Sequence, residues 1–384
     1  RGARGLIARA VSEEFEVFLQ QHAEQRDAQG RAAVVRNGYL PEREVLSGIG
    51  PVPVRVPRAR DRSGEGLRFR SSLVPAYVRR AKSVDAVLPW LYLKGISTGN
   101  MAEALAALVG PEATGLSAPV ISRLKARWSE EYATWKKSSL AKDRWVYLWA
   151  DGIYSGLRAE DERLCLLVVI GVNERGKKHL LAIEDGVRES TESWRAVLRD
   201  LKARGLKLPP KLAVGDGALG FWAALKELLP ETRDQRCWVH KTANVLNYLP
   251  KSAQAKAKSM LHEIWMAEGR AQAEVAFERF LQGFQAKYPK ATECLAKDRK
   301  SLLAFYDFPA EHWAHIRTTN PIESSFATIR HRTDQTKGCV SRSTLLGLVY
   351  KLGMSAQASW RRLRGFKLLG ELIAGVRFVD GVRA

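Results

Sequence analysis

Between residues 144 and 250 the apolar pattern switches period in an order that few folds accommodate. RWVYLWADGIY (144–154) and RLCLLVVIGVN (163–173) are apolar runs rich in β-branched and aromatic residues, and KKHLLAIEDG (177–186) is a third. Such runs read as strands. STESWRAVLRDLKARG (190–205) then places Trp194, Val197, Leu198 and Leu201 on one side of an amphipathic helix. KLAVGDGA (211–218) is a short strand, a helix follows from Phe221 to Leu229, and RDQRCWVHKTANVLNYLP (233–250) is a strand running into a helix. Three consecutive strands followed by alternating helices and strands predict an α/β fold with a mixed sheet, a three-strand meander joined to parallel strands.

Two acids stand out in that frame. Asp151 is expected to end the first strand and Asp216 the fourth, each after an apolar segment and each followed by Gly, which allows a sharp backbone turn. Taken singly, Asp-Gly is an ordinary turn dipeptide. Taken together, two carboxylates leaving buried strands of one sheet point into its ligand crevice. An isolated buried carboxylate is costly unless paired or cation-bound. Two meeting there make a hard oxygen-donor site suited to Mg²⁺ or Mn²⁺.

Residues 251–307 turn almost wholly helical, with SAQAKAKSMLHEIWMAEG, RAQAEVAFERFLQGFQAKY and PKATECLAKDRKSLLAFY reading as three amphipathic helices of an all-α insertion. RTTNPIESSFATIRHRT (317–333) then reads as a helix start, with Asn320 as N-cap, Pro321 at the first helical position and Glu323 where a capping-box carboxylate belongs. The local pattern by itself favours a cap. Beside it, Arg317, Arg330 and Arg332 read either as phosphate contacts or as a solvated basic face. Cys237 and His240 have ligand-like Cys-x-x-His spacing. They read either as half a zinc site completed by His312 and His315, or as packing or active-site-lining residues.

Charge bears on the partner. The 384 residues carry 62 Lys and Arg against 41 Asp and Glu, a formal net charge of +21, which makes a polyanion, nucleic acid first, the expected ligand. Residues 1–50 look helical and then loop-like towards Gly48–Gly50. Residues 51–80 hold eight Arg, including Arg58, Arg60, Arg62, Arg79 and Arg80, against Asp61 and Glu65. Pro and Gly break any long helix there, so the stretch reads as a solvated linker or as an arm tracking phosphates, with Phe69 and Tyr77 nearby. Residues 83–128 read as helix, turn, helix and then a helix capped by Ser117 that carries Arg123, Lys125 and Arg127. A plain helical bundle would look similar, but the basic third helix favours a helix-turn-helix DNA reader. The four scattered Cys fit a reducing cytosol. No apolar run is long enough to span a bilayer, and the opening Arg1 suggests that an N-terminal piece is missing.

Taken as a set, YLWADGIYSGLR, VGDGALGFWAALKELLP, RCWVHKTANVLNYLPK and RTTNPIESSFATIRHRT resemble the bacterial Mutator-type insertion-sequence transposases. The resemblance runs from about residue 51 to 350. It implies an RNase H-like catalytic core with an Asp-Asp-Glu triad at Asp151, Asp216 and Glu323, holding two Mg²⁺ or Mn²⁺ ions. It also implies an α-helical insertion between the second Asp and the Glu, which agrees with their separation of 107 positions. The Cys237 to His240 stretch matches a pair typical of that family, so Cys237, His240 and Asn320 are expected as active-site support. The expected activity is hydrolytic nicking at terminal inverted repeats, then joining of the 3′-hydroxyl to target DNA, in a cytoplasmic, nucleoid-associated homodimer. A non-catalytic DNA-binding regulator and a junction resolvase are the alternatives.

The expected organisation is a helical segment and basic arm over 1–80, a helix-turn-helix-like domain over 81–142 and a first core part over 143–250. The insertion over 251–310, the Glu-bearing core helix over 311–340 and a basic helical tail over 341–384 complete it.

Overall fold

The structure, a computed structural model, describes residues 2–47, 50–81, 84, 91, 101–109, 118–159, 162–323, 326–327 and 341–384. The chain divides into two compact units, 1–124 and 125–384, at a point inside the helix Ala118–Lys136.

The first unit opens with helix α1 (Gly2–Gln21). Four short strands follow, β1 (Val34–Tyr39), β2 (Arg43–Ser47), β3 (Gly50–Val54) and β4 (Pro57–Asp61). They pair as two antiparallel ribbons, β1 with β4 and β2 with β3. Loop and arm were the expectation here, because Pro51, Pro53 and Pro57 read as breakers. In a two-stranded ribbon every strand is an edge, and Pro is tolerated where its missing N–H would face outward. Pro51 and Pro53 fall two apart on β3, while Val52 and Val54 between and after them turn inward. The valines build a small core of Val11, Val52, Val54, Val56 and Val74, against which Ile7, Val45 and Phe69 pack.

Of the region expected as a helix-turn-helix, helices α2 (Met101–Val109) and α3 (Ala118–Lys136) are described. The turn between the first two expected helices and the expected Ser117 cap lie outside the described residues.

The second unit is built on a five-stranded mixed sheet in the order β7-β6-β5-β8-β9. Strands β5 (Trp145–Ala159), β6 (Glu162–Asn173) and β7 (Lys178–Asp185) form the antiparallel meander, and β8 (Leu212–Gly215) and β9 (Arg233–Arg236) continue it in parallel with β5. The centre of β6, Leu166 to Ile170, is almost wholly buried, as a strand covered on both faces requires.

One face is covered by α4 (Thr191–Ala203) and α5 (Leu219–Leu228). Helix α4 starts where its sequence says: the Ser190 side chain accepts a hydrogen bond from Ser193 N at 3.2 Å. It buries Trp194, Val197, Leu198 and Leu201 against Leu148, Ala150, Leu167, Val169 and Ala213 of the sheet. On the opposite face, Tyr147 and Trp149 of β5 meet helix α11 (Ala310–Ile316). Trp149 Nε1 donates to His315 O at 3.1 Å, and Tyr147 OH lies 2.8 Å from His312 Nδ1.

The all-helical stretch between contains α6 (Trp238–Leu246), α7 (Lys251–Met266), α8 (Arg270–Phe284), α9 (Pro289–Ala296) and the short α10 (Arg299–Leu302). The third helix expected over 289–306 is therefore broken after Ala296. Local side-chain demands explain the break. Asp298 is drawn to Arg236 and Lys241, and Leu302 O accepts from Trp238 Nε1 at 2.8 Å and Gln235 Nε2 at 3.1 Å instead of continuing a helical ladder. Phe277, Phe280 and Phe284, all buried, line the inner face of α8. The tail expected to be helical over 341–384 is so only in part. Helix α12 (Arg342–Gln357) buries Leu345, Leu348, Val349 and Leu352 and packs on β7, where Gly353 sits against Leu180. Beyond it only short helical turns at Phe366–Leu368 and Leu369–Ile373 precede a hairpin pairing Phe378–Val379 with Val382–Arg383. No helix among the described residues is long and apolar enough to cross a membrane.

Candidate active site

Parallel pairing of β5 and β8 puts Ala150 opposite Gly215. The next residue on each strand is therefore Asp151 and Asp216, side by side. Both are buried, at 5% and 3% exposure. Asp216 follows directly on the last residue of its strand, Gly215, close to where it was expected. Asp151 does not end its strand: β5 continues to Ala159, paired with β6 through Gly152, Ile153 and Tyr154.

The glycine after each acid has a different task from the expected sharp turn. Neither has a left-handed backbone; each clears room for an arginine. A Cβ on Gly152 would lie 2.5 Å from Arg188 Cγ, and one on Gly217 would lie 2.6 Å from Arg236 Nη2. Arg188 forms an ion pair with Asp216. Arg236 donates to the Asp216 carbonyl, which also accepts from Trp222 Nε1 at 2.9 Å. Asp216 Oδ1 accepts from Ala218 N at 3.0 Å. The second acid is thus held through its carboxylate and its backbone.

His240 arrives from β9. Cys237 N donates to Gly215 O at 2.8 Å, which anchors the start of α6 to the end of β8, and His240 sits on the first turn of that helix. Its ligating atom and those of Asp151 and Asp216 all lie within 4.8 Å of one another. Cys237, His240 and Glu323 form a second such group, so His240 belongs to both. Glu323 reaches the site because Trp238 N donates to Arg317 O at 3.0 Å and Thr319 N to Cys237 Sγ at 3.3 Å. These bonds lay the 317–323 segment along α6.

The helix at Glu323 starts one residue earlier than its sequence suggests. Thr319 O accepts from Ile322 N at 2.8 Å and Glu323 N at 3.1 Å, so Asn320 is the first helical residue and not the cap. Asn320 N donates to Thr318 Oγ1 at 3.4 Å, and the expected capping box does not form. The Glu323 carboxylate instead accepts from the Thr319 hydroxyl at 2.8 Å and lies 3.5 Å from His240 Nδ1. Thr319 Oγ1 is also 3.3 Å from Cys237 Sγ and from His240 Nδ1. A hydroxyl carries one proton, and the short contact to a carboxylate is the strongest use of it.

Of the two readings of Cys237 and His240, the zinc site completed by His312 and His315 is not formed among the described residues. His312 is fully buried, with its ring nitrogens committed to Tyr147 OH and to Gly365 O at 3.0 Å. His315 Nε2 accepts from Arg364 N at 3.4 Å. Burial lowers the basicity of both rings, that of His315 to about 4. Burial also pushes the Cys237 thiol up, away from the thiolate that zinc prefers. Two buried carboxylates and an imidazole, with Glu323 adjoining, are instead a donor set for a hard divalent cation.

Sequence reading missed Arg188, Arg236 and Thr319. The only local signal was the pair of glycines, read as turn residues when they mark clearance. Of the residues expected at DNA, Arg58, Arg60, Arg62, Arg79, Arg123 and Arg127 are exposed, while Arg80 and Lys125 are half-buried. Arg127 is ion-paired with Glu131 at 3.0 Å. Arg317 is stacked 4.6 Å over the Trp265 ring and donates to Trp265 O at 2.7 Å. Arg330 and Arg332 lie outside the described residues.

The sequence model of the family described as "Transposase, Mutator family" matches residues 3–362. The transposase for insertion sequence element IST2 of Acidithiobacillus ferrooxidans is 56% identical over 284 residues, covering 74% of this chain and 96% of that one. The transposase for element IS6120 of Mycolicibacterium smegmatis is 50% identical over 298 residues, covering 78% and 92%. The transposase for element ISRM5 of Rhizobium meliloti (strain 1021) is 28% identical over 364 residues, covering 94% and 88%. With a family match over nearly the whole chain and two relatives at half identity or more, the chain belongs to the Mutator family of transposases.

Proposed function

We propose that the chain is a divalent-metal-dependent DNA transposase with an RNase H-like core, in which Asp151, Asp216 and Glu323 are the catalytic carboxylates. The observation that carries this reading is the register of β5 and β8, which sets two buried acids side by side next to His240, and Glu323 adjoins that same histidine.

Asp151, Asp216 and Glu323 would hold two Mg²⁺ or Mn²⁺ ions. When bound, such ions activate a water or a 3′-hydroxyl as nucleophile and stabilise the leaving oxygen. Asp151 and Asp216 are held rigidly by the strand pair, so they supply fixed negative charge without reorganisation. Thr319 fixes the Glu323 rotamer, and His240 belongs to both donor groups and so joins Glu323 to the two aspartates. Arg188 offsets the charge of Asp216, a task that a bound cation would take over. The exposed arginines of β4 and of the 62–80 segment supply the phosphate contacts that hold DNA. Two phosphodiester steps follow: water cleaves at the element's end to free a 3′-hydroxyl, and that hydroxyl then displaces a 3′-oxygen in the target strand. Bringing two ends together requires at least a dimer. The helix-turn-helix reading of residues 81–142 makes that segment the reader of the terminal repeat.

The test is nicking of a labelled duplex carrying the element's end in Mg²⁺. Wild-type protein is expected to nick it, while Asp151→Asn binds the same duplex without cutting. A nicking Asp151→Asn variant would sink the assignment. Cleavage of branched junctions of any sequence would favour a resolvase, and binding without cleavage by the wild type a regulator.

A further inference from the structure

Tyr77 combines two costly features. Its side chain is 94% exposed, and its φ is +72°. Only one other described non-glycine residue, Asp380, has a positive φ. For a bulky L-residue the left-handed region is disfavoured, because Cβ crowds the following carbonyl oxygen. Tyr also lacks the short polar side chain with which Asn or Asp offsets that cost. Val78 N donates to Pro75 O at 3.2 Å. Tyr77 thus occupies the third position of a tight turn with Pro75 first, a place where positive φ calls for Gly.

The surrounding chain enforces this conformation. The Arg43 guanidinium donates to Val78 O at 2.7 Å, Pro75 O at 2.6 Å and Val74 O at 3.1 Å, so one side chain clamps both flanks of the turn. At the near end, Glu14 accepts from the Ser71 hydroxyl and from both the amide and the hydroxyl of Ser72. At the far end, Leu46 N donates to Arg79 O at 2.9 Å and Ala81 N to Leu46 O at 2.8 Å. A strained aromatic held out in water by so many bonds contributes nothing to the core it stands on. Strain of this kind persists where the surroundings over-determine it, and it gathers at functional positions.

Tyr77 also lines a cavity of about 730 Å³ with Leu40, Pro41, Phe69, Arg70 and Arg79, in which Glu44 is the one carboxylate. Aromatic rings interleaved with arginines are the chemistry that takes a nucleobase by stacking while the phosphates beside it are neutralised. We propose that Tyr77 is a base-stacking residue that inserts against a nucleobase of bound DNA, with Arg70 and Arg79 holding the adjoining phosphates. This rests on the DNA-binding reading above and extends it to one side chain.

The test uses the full chain and a duplex of the element's end carrying 2-aminopurine at successive positions. Tyr77→Gly is the informative variant, because Gly relieves the backbone strain. Its thermal midpoint is expected to equal or exceed that of the wild type, while DNA affinity falls about 5- to 100-fold with an unchanged salt slope. The 2-aminopurine signal reporting a stacked base is expected to disappear in Tyr77→Gly and to survive in Tyr77→Phe. Arg79→Ala is expected to lower the salt slope by about one. Equal affinity and equal 2-aminopurine signal in wild type and Tyr77→Gly overturn the proposal. So does a Tyr77→Gly variant whose only change is loss of a dimer by light scattering, since that makes the ring a contact between copies. A wild-type chain that fails to bind the duplex at all removes the DNA-binding reading itself, a result distinct from these.

Discussion

Arg188 is ion-paired with Asp216, and the stem of the same side chain lies where a Cβ on Gly152 would stand. One arginine therefore touches both candidate acid positions, the carboxylate of one and the following residue of the other. It places a positive charge beside two buried acids. Removing one member of a buried pair leaves the other uncompensated, at a cost of about 3–5 kcal/mol.

Arg188→Ala should accordingly do two opposite things. Without metal, the variant should unfold at lower denaturant, by about 3 kcal/mol. With the competing cation gone, Asp216 should hold Mn²⁺ several-fold more tightly by titration calorimetry. Unchanged or weaker Mn²⁺ binding would show that the arginine does not stand in for a cation.

Gly152→Ala tests clearance directly. The new methyl would meet Arg188 Cγ at 2.5 Å, close to the backbone where the side chain has little freedom to move. Overpacking of this kind costs about 1–3 kcal/mol, and nicking should fall at least about tenfold as Arg188 is displaced from Asp216. A Gly152→Ala protein with wild-type stability and rate would refute the argument. Gly217→Ala should behave similarly through Arg236, which is buried and tied to Asp216 O and Asp298.

Thr319→Val keeps the shape and removes the hydroxyl that fixes Glu323. Stability should fall by about 1 kcal/mol and the nicking rate by roughly tenfold, with DNA affinity unchanged. Thr319→Ser should restore most of the rate. A loss of DNA affinity equal to the loss of rate would point to disturbed folding in place of a misplaced carboxylate.

Acid sensitivity is expected from α11. Burial lowers His315 from its ordinary 6.5 to about 4 and lowers His312 as well. Between those values the unfolded chain binds more protons than the folded one, so the stabilisation is fully present above pH 6.5 and drains away as pH falls to about 4. Protonation of His315 would also end its acceptance of Arg364 N. The urea midpoint should drop across that window, and His315→Gln should flatten the drop. An equally steep fall in the variant would exclude His315 as a source.

Much of the second unit was legible beforehand. The meander, the two parallel strands, the buried stripe of α4 and the placing of Asp151 and Asp216 beside the sheet follow from apolar period and local spacing, which neighbouring residues alone determine, whereas the local pattern at Glu323 favoured a cap. Resemblance to a family was what linked Glu323 to the two aspartates, and the structure brings it to His240, the residue beside both of them. The first unit was less legible, because its strands are short, rich in proline and paired as ribbons, where the usual penalty on proline does not apply.

Within the sheet of the second unit, the sequence by itself determined which segments become strands and covering helices and which two aspartates sit beside the sheet, since period and β-branched runs act over a few residues. Tertiary structure alone decided that Asp151 lies within a longer strand, that Thr319 and not Asn320 precedes the Glu323 helix, and that His240 leaves His312 and His315 to join the acids. It alone brought Arg188 and Arg236 to Asp216 through the space left by two glycines. Those outcomes depend on strand register and on charges distant in the chain finding one another in a buried place, where an unpaired carboxylate is too costly to leave alone.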